Sequence, residues 1–225
     1  MESYQNLLMR TAPGLHESAM AVLARLRPAP ASVIDLGAGE GAFTLRLKTT
    51  GYQCQAVELS PDRFRVDGVA CRSLDLNADF AAEIGRTFDV VVAQEIIEHL
   101  ENPRHFLRQC VALLAPGGLL LLTTPNIEDV YSRVRFLTRG RFSFFYPEHY
   151  RDMGHLTPIA SWQIDQMCGE LQLTAVDHQY NRPFRRWFVP RSKSDLVKLL
   201  VGLLAWPLTL GVRGGQIHIY ALQKV

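Results

Sequence analysis

Short apolar runs and amphipathic segments alternate along residues 30–126. The apolar runs are rich in β-branched residues, which is typical of strands, whereas the segments between them have helical spacing. Strands separated by helices form βαβ units, and these predict a doubly wound, parallel sheet with right-handed crossovers. The predicted strands are 32–36, 53–58, 69–75, 88–93 and 119–124, and helices are predicted at 42–48 and 78–84.

The flanking segments are patterned differently. Residues 3–26 predict a helix that Pro13 and Gly14 divide. A further helix follows the strand at 88–93, and Asn102-Pro103 interrupts and restarts it. The later pattern predicts a helix at 158–171, strands at 173–180 and 216–223, and two long irregular segments, 127–157 and 181–215.

Composition excludes several classes of protein. The 225 residues are 48% hydrophobic, enough for a buried core, so we expect one folded domain over 1–225. The net charge of +2 gives no reason to expect nucleic-acid binding. Four scattered cysteines favour neither a disulfide framework nor a zinc site. With no signal-peptide pattern at the start, we expect a cytoplasmic protein.

The strongest local motif is a glycine loop, VIDLGAGEG, between the first predicted strand and its helix. Glycines there let the chain turn sharply and let a ligand approach the backbone. Glu58 and Asp75, which end the next two predicted strands, are suited to ribose hydroxyls and an adenine amine. The same loop also satisfies a dinucleotide pattern, so an NAD(P)-binding oxidoreductase is an alternative.

Five segments in order resemble the landmarks of class I S-adenosylmethionine (SAM)-dependent methyltransferases: VIDLGAGEG, VELSPD, SLDLNADF, FDVVVAQEIIEHL and LLAPGGLLLLTTPN. The resemblance implies an α/β fold with a mostly parallel, seven-stranded, Rossmann-like sheet whose last strand is antiparallel. It also implies SAM as cofactor. The cofactor-binding residues that it implies are Asp35, Gly37, Ala38, Gly39, Gly41, Glu58, Leu59, Asp75, Leu76 and Gln94.

The segment Glu95-Ile-Ile-Glu98-His99 would place two carboxylates and an imidazole on one helix face. It resembles a metal-binding segment of some methyltransferases, so Glu95, Glu98 and His99 are candidate ligands for Mg²⁺ or another divalent cation. Without a metal, Glu98, His99 and His155 are candidate catalytic residues, and ordinary helix-end pairing is a third interpretation.

His16 is a weaker candidate. In the family that the motifs resemble, the N-terminal segment often closes over the SAM site. The other interpretation is that His16 caps the second N-terminal helix.

Both irregular segments are expected at the carboxyl ends of strands, where they would form a lid and an acceptor pocket. Tyr131, Phe142, Phe144, Phe145 and Tyr146 are candidate lining residues. The second segment contains an uncharged run, 199–212, which is too short to span a bilayer comfortably. It favours either peripheral membrane contact through 181–212 or a lid or dimer face.

Charge is unevenly distributed. Residues 133–151 carry net +4 and residues 182–193 carry +5, which leaves −7 for the rest of the chain. A basic cap of this kind favours an anionic acceptor or an anionic membrane surface. We therefore expect a methyltransferase acting on a small or lipid-like acceptor, at oxygen, with membrane association as an added expectation. The alternatives are the NAD(P)-binding oxidoreductase and a non-catalytic adaptor that keeps the fold.

Overall fold

The computed structural model describes residues 2–183, 192–204 and 214–225. The described chain starts with a two-stranded hairpin, β1 (Ser3–Tyr4) and β2 (Leu7–Leu8), followed by helix α1 (Leu15–Leu26). The prediction of a helix before Pro13 is therefore wrong. Gln5 and Asn6 both have positive φ, 47° and 66°, as a tight hairpin turn requires.

A seven-stranded sheet forms the centre of the molecule. Its strands in chain order are β3 (Ser32–Leu36), β4 (Gln53–Glu58), β5 (Cys71–Ser73), β6 (Phe88–Gln94), β7 (Leu114–Pro125), β8 (Leu173–Pro183) and β9 (Gly215–Lys224). Their spatial order is β5-β4-β3-β6-β7-β9-β8. The strands β3 to β7 pair in parallel, and β9 is antiparallel to both β7 and β8. The predicted fold class, including the antiparallel last strand, is confirmed.

Helices cover both faces of this sheet. On one face, α1 and α2 (Ala42–Thr49) bury Leu23 and Leu47 against strand residues such as Val92. On the other face lie α3 (Phe80–Ile84), α4 (Pro103–Leu113) and α6 (Ser161–Glu170), whose apolar residues pack against Val91 and Leu120. Consecutive residues of a strand therefore pack against helices on opposite faces of the sheet.

Several boundaries differ from the predicted ones. β5 is shorter than the predicted strand 69–75, and β7 starts before the Pro-Gly-Gly sequence rather than after it. A helix starts after Asn102 as predicted, since the Asn102 side chain accepts a hydrogen bond from His105 N at 3.0 Å and so caps α4.

The two long segments leave the sheet at the same edge, because β7 and β8 run parallel to each other. The first contains helix α5 (Val130–Arg139) and a short π-helical turn, His149–Met153. The second contains helix α7 (Lys193–Leu204), while its residues 184–191 and 205–213 lie outside the described part. Within the described ranges, no helix is both long enough and apolar enough to cross a membrane.

Candidate active site

The glycine loop joins β3 to α2 at the carboxyl edge of the sheet. Gly37, Gly39 and Gly41 all have positive φ, at 74°, 57° and 93°. The backbone N–H groups of Gly37 and Ala38 both donate to the carbonyl oxygen of Val57, at 2.9 and 3.1 Å. The loop is therefore fixed to the neighbouring strand by its own main chain.

Glu58, at the end of β4, holds the tip of this loop. Its Oε2 accepts a hydrogen bond from Gly39 N at 2.7 Å, and its Oε1 accepts one from Leu59 N at 3.0 Å. A Cβ added at Gly37 would lie 2.8 Å from the Ile96 side chain, whereas one at Gly39 would meet no heavy atom within 4 Å. Gly39 thus faces open space, where a ligand can approach the main chain.

Asp35 lies beneath the loop on β3 and is 4% exposed. Its carboxylate accepts a hydrogen bond of 2.6 Å from the Thr44 hydroxyl on α2. Burial raises the pKa of Asp35 to about 6, the hydrogen bond from Thr44 opposes the rise, and the charge of Glu58 adds to it. Because Thr44 lies on α2, this hydrogen bond joins β3 to the helix that follows the loop and so helps to order the loop.

The other predicted cofactor residues lie at the ends of successive strands. Asp75 is exposed, and its Oδ1 accepts from both the backbone and the side-chain nitrogen of Asn77. Leu59 is 66% exposed beside Glu58, whereas Leu76 is buried. Gln94 ends β6, and both polar atoms of its side-chain amide are buried without a hydrogen-bond partner in the described structure. A buried, unpaired amide needs a partner that a ligand can supply.

The helix predicted over Glu95–His99 does not form. Glu95 has a φ of +48°, and only one 3₁₀ turn, Ile97–His99, precedes α4. The Glu95 carboxylate accepts a hydrogen bond from the Thr123 hydroxyl at 2.9 Å, and that of Glu98 accepts one from the Thr124 hydroxyl at 3.2 Å. Since Thr123 and Thr124 are consecutive on β7, the two glutamates are held on opposite faces of the sheet.

A different set of three residues comes together instead. Glu98, His99 and His155 each offer one ligand atom, and these atoms lie within 4.8 Å of one another. Two backbone N–H groups, those of Leu156 and Thr157, donate to the carbonyl oxygen of Glu98 and join the later segment to this turn. The predicted catalytic trio is thus assembled, whereas Glu95, one of the predicted metal ligands, is not part of this group.

Burial dominates the electrostatics of the trio. It raises the pKa of Glu98 well above its usual range, and the nearby Glu95 adds to the rise. It lowers the pKa of His99, and it lowers that of His155 to about 4, with a further contribution from His99. Both imidazoles are consequently neutral at pH 7. Glu98 Oε1 and His155 Nδ1 are buried and have no described partner.

Aromatic side chains of the first long segment surround the two histidines. The ring of Phe145 is 5.6 Å from that of His155, and the ring of Tyr146 is 4.6 Å from that of His149. His149 and His155 are themselves 5.8 Å apart between ring centroids. Two of the predicted lining aromatics therefore contact histidines at or beside the trio.

His16 is 4% exposed and packs its ring 5.0 Å from that of Phe43, at the start of α2. It lies inside α1 rather than capping it, since Gly14 is the N-cap residue and no side-chain cap bond is made. The capping interpretation is therefore wrong. The hairpin does reach the glycine loop, because Leu8 N donates to the Glu40 carboxylate at 2.9 Å.

Comparison with known proteins identifies the family. Residues 11–198 match the family model described as a methyltransferase domain. The chain is 30% identical over 175 residues to a ubiquinone biosynthesis O-methyltransferase of Xanthomonas axonopodis pv. citri (strain 306), which covers 73% of this chain and 72% of that protein. The chain therefore belongs to the class I SAM-dependent methyltransferases.

Solved structures agree on the fold. A SAM-dependent methyltransferase from Archaeoglobus fulgidus aligns with a TM-score of 0.65 at 17% identity, over 93% of this chain and 94% of that one. An N-methyltransferase from Bradyrhizobium japonicum WM9 in complex with S-adenosylhomocysteine aligns with a TM-score of 0.55 at 16% identity, over 94% and 88% of the two chains. Family membership decides against the oxidoreductase and adaptor alternatives, and SAM is the cofactor of this enzyme class.

Three threonines in the site were not predicted from the sequence. Thr44, Thr123 and Thr124 hold Asp35, Glu95 and Glu98 respectively. The signal for Thr123 and Thr124 is the break from leucine to paired threonine at the end of an otherwise apolar strand. Thr44 carries no such signal, because a threonine in a short helix is ordinary.

Proposed function

We propose that this enzyme transfers a methyl group from SAM to a hydroxyl oxygen of a small aromatic acceptor that carries a neighbouring hydroxyl. The observation that carries the proposal is the trio of buried Glu98, half-buried His99 and buried His155, with unpaired Glu98 Oε1 and His155 Nδ1. A hydroxyl is a poor nucleophile until it loses its proton, and such a group of acid and imidazole side chains can assist that loss.

The proposed cofactor-binding site is formed by the glycine loop and by residues at the carboxyl ends of the strands. Gly39 leaves room for SAM beside the main chain, and Gln94 offers its unpaired amide to the methionine portion. Glu58 is assigned to the ribose hydroxyls and Asp75 to the adenine amine, with Leu59 giving an exposed apolar surface beside them. When bound, SAM supplies an electrophilic methyl group on a good leaving group, so the protein mainly aligns the two reactants.

The trio fits a divalent cation. Two neutral imidazoles and one carboxylate are common metal donors, and Glu98 Oε1 and His155 Nδ1 are buried without partners. Glu98, His99 and His155 would hold the ion, which would lower the pKa of an acceptor hydroxyl. The buried Glu98 is otherwise disposed to hold a proton, and a neighbouring cation would favour its ionised form.

The two histidines and the aromatic residues beside them also have roles that require no metal. His99 Nδ1 donates a hydrogen bond to the carbonyl oxygen of Gly154 at 3.2 Å, which orients the imidazole ring. A neutral His99 or His155 can accept the proton of an acceptor hydroxyl. Phe145 and Tyr146 would exclude water from the acceptor and pack against its ring.

Two observations support oxygen as the methylated atom. The similar Xanthomonas proteins are named as O-methyltransferases that act in ubiquinone biosynthesis. A hydroxyl is also the acceptor that gains most from deprotonation, whereas a neutral amine can attack a methyl group without it. We therefore choose a catechol with a short alkyl chain as the probe.

The test is methylation of this catechol, measured by mass spectrometry with isotopically labelled SAM. We expect Glu98→Gln to lower turnover by about 10²-fold or more, while affinity for S-adenosylhomocysteine stays within about twofold. Glu101→Gln is the matched control, because Glu101 lies three residues further on and is exposed. It should keep full activity.

Two outcomes would refute the proposal: full turnover by Glu98→Gln, or a preference for an aniline over the catechol. A chelator separates the two versions of the mechanism. Loss of activity with EDTA, restored by one divalent cation, supports a metal at the trio. Activity that survives EDTA assigns the proton transfer to the side chains alone.

A further inference from the structure

Large hydrophobic side chains that are more than one-third exposed are concentrated in the two long segments. Nine of the thirteen such residues in the described structure lie there. Those of the first segment are Phe136, Leu137, Tyr150, Met153 and Leu156, and those of the second are Leu196, Val197, Leu200 and Leu203. Single exposed apolar residues are ordinary, but such a concentration marks an interaction surface.

Helix α7 shows the pattern most clearly. Leu196, Leu200 and Leu203 follow the i, i+4, i+7 spacing that places residues on one helix face, and they are 47%, 50% and 44% exposed. Val197, beside them, is 58% exposed. An amphipathic helix normally turns this face inward, whereas α7 presents it to its surroundings.

Cationic residues accompany these apolar side chains. Arg139, Arg141 and Arg151 are exposed in the first segment, and Lys193 begins α7 with an exposed side chain. Along the sequence, 133–151 carries net +4 and 182–193 carries net +5, whereas the remainder is at −7. Apolar and basic side chains thus occur together in the same two segments.

From this coincidence we propose that α5, the segment 149–156 and α7 present a docking surface for an anionic phospholipid bilayer. Aliphatic and aromatic side chains would enter the headgroup and acyl boundary, and the arginines would meet the lipid phosphates. Both segments leave the sheet at the carboxyl ends of β7 and β8, where the trio of Glu98, His99 and His155 also lies. Docking would therefore bring the catalytic edge close to the membrane.

Charge favours a bilayer over a second copy of the chain. A symmetric dimer through this surface would bring two copies of the same net basic surface together, because a twofold interface uses the same patch on both subunits. An anionic bilayer supplies diffuse negative charge and an apolar interior together. The proposal concerns association and is independent of which acceptor atom is methylated.

The experiment is co-sedimentation of the full chain with vesicles of phosphatidylcholine, with and without phosphatidylglycerol. We expect binding to the anionic vesicles that high salt weakens. Arg139→Gln with Arg141→Gln should weaken it by about fivefold per arginine. Leu196→Gln with Leu200→Gln should weaken binding to the anionic vesicles by more than about tenfold.

Trp162→Gln is the matched control, because Trp162 is 62% exposed but lies on α6, outside both segments. It should bind vesicles like the parent chain. Unchanged affinity for S-adenosylhomocysteine would show that each variant is folded. The proposal is overturned if the parent chain ignores anionic vesicles, or if the leucine variants bind as well as Trp162→Gln. A dimer that the leucine changes convert to monomer, with no vesicle binding, would also overturn it.

Discussion

Thr123 and Thr124, neighbours at the end of β7, separate two glutamates that are only three positions apart in the chain. The spacing from Glu95 to Glu98 brings side chains together only on a helix. Glu95 has a φ of +48°, so no helix forms here, and the Glu95 backbone N–H donates instead to the Thr123 hydroxyl on β7. The sequence therefore gives the candidate residues, whereas the backbone at Glu95 and the two threonines of β7 determine which of these candidates lie together.

Gly39 allows the cofactor-binding site to be tested without disturbing the fold. We expect Gly39→Asn to leave the melting temperature almost unchanged, because asparagine tolerates positive φ and the added Cβ meets nothing within 4 Å. Its side chain would occupy the space proposed for SAM, so affinity for S-adenosylhomocysteine should fall by about tenfold or more. Calorimetric titration and thermal unfolding measure the two effects.

Gly117→Asn provides the comparison. Gly117 also has positive φ, 68°, and open space around its Cβ position, but it lies at the opposite end of the fold, before the apolar part of β7. It should bind S-adenosylhomocysteine normally. If both variants bind S-adenosylhomocysteine equally well, Gly39 does not line the cofactor-binding site.

At the scale of elements, α5 belongs to the first long segment and is held by its own cap. The Asp129 carboxylate accepts hydrogen bonds from Tyr131 N at 2.7 Å and Ser132 N at 3.3 Å. Ser132 in turn accepts one from Ser143 N at 3.0 Å. The first turn of α5 thus carries both the cap and the hydrogen bond that holds the later part of the segment, at Ser143.

Loss of this cap should loosen the segment more than the sheet. We expect Asp129→Ala to destabilise α5 by about 1 kcal/mol and to speed amide hydrogen exchange across it. The KM for the acceptor should rise, while affinity for S-adenosylhomocysteine should not change. Hydrogen-exchange mass spectrometry and steady-state kinetics measure these effects.

Asn102→Ala removes an equivalent cap, but from α4, whose Phe106 and Leu107 are fully buried. It should lower the melting temperature of the whole molecule and leave exchange in α5 as it was. If Asp129→Ala instead behaves like Asn102→Ala, α5 unfolds together with the core and is not an independent lid.

The elements show where sequence patterns suffice. The bounds of β3 and β4 agree with the predicted 32–36 and 53–58, because β3 is a mainly apolar run that ends at the glycine loop, and β4 ends just before the Ser60-Pro61-Asp62 turn. The N-terminal hairpin was missed, since its strands have two residues each and offer no period to detect. His155 is brought to Glu98 by its neighbours in the chain, because Leu156 N and Thr157 N donate to the carbonyl oxygen of Glu98. No local sequence pattern encodes contacts between residues so far apart in the chain.

At the scale of the whole molecule, stability should depend on pH through Asp35. Its pKa is 3.8 ordinarily and about 6 when folded, so the folded state binds more protons between these values. The contribution of Asp35 to the free energy of unfolding should therefore fall as pH rises from about 4 to about 6 and stay constant above that. The full effect is up to about 3 kcal/mol.

Asp35→Asn should remove this dependence. The free energy of unfolding of the variant, relative to that of the parent chain, should increase as the pH rises from about 4 to about 6, whatever the difference between the two proteins is at pH 4. Urea unfolding at a series of pH values measures the difference. If the difference in free energy of unfolding between variant and parent does not vary with pH, ionisation of Asp35 does not destabilise the fold.

Asp89→Asn is the opposite case. Hydrogen bonds from the Ser32 backbone and hydroxyl lower the pKa of Asp89, so its ionised form stabilises the fold. That contribution is fully present above about pH 4 and is lost as the pH falls through the folded pKa. The variant should be less stable than the parent by an amount that stays constant from about pH 5 to pH 7.

The position of β9 has a consequence for the order in which the enzyme is assembled. Residues 215–224 are synthesised after the other six strands described in this sheet, yet they lie between β7 and β8, and within the described structure β8 is paired only through them. On the ribosome, β3 to β7 can pair as they emerge, whereas β8 must wait. The proposed SAM half of the site can thus form during translation, whereas the second long segment, which connects β8 to β9, is fixed at both ends only after β9 has paired.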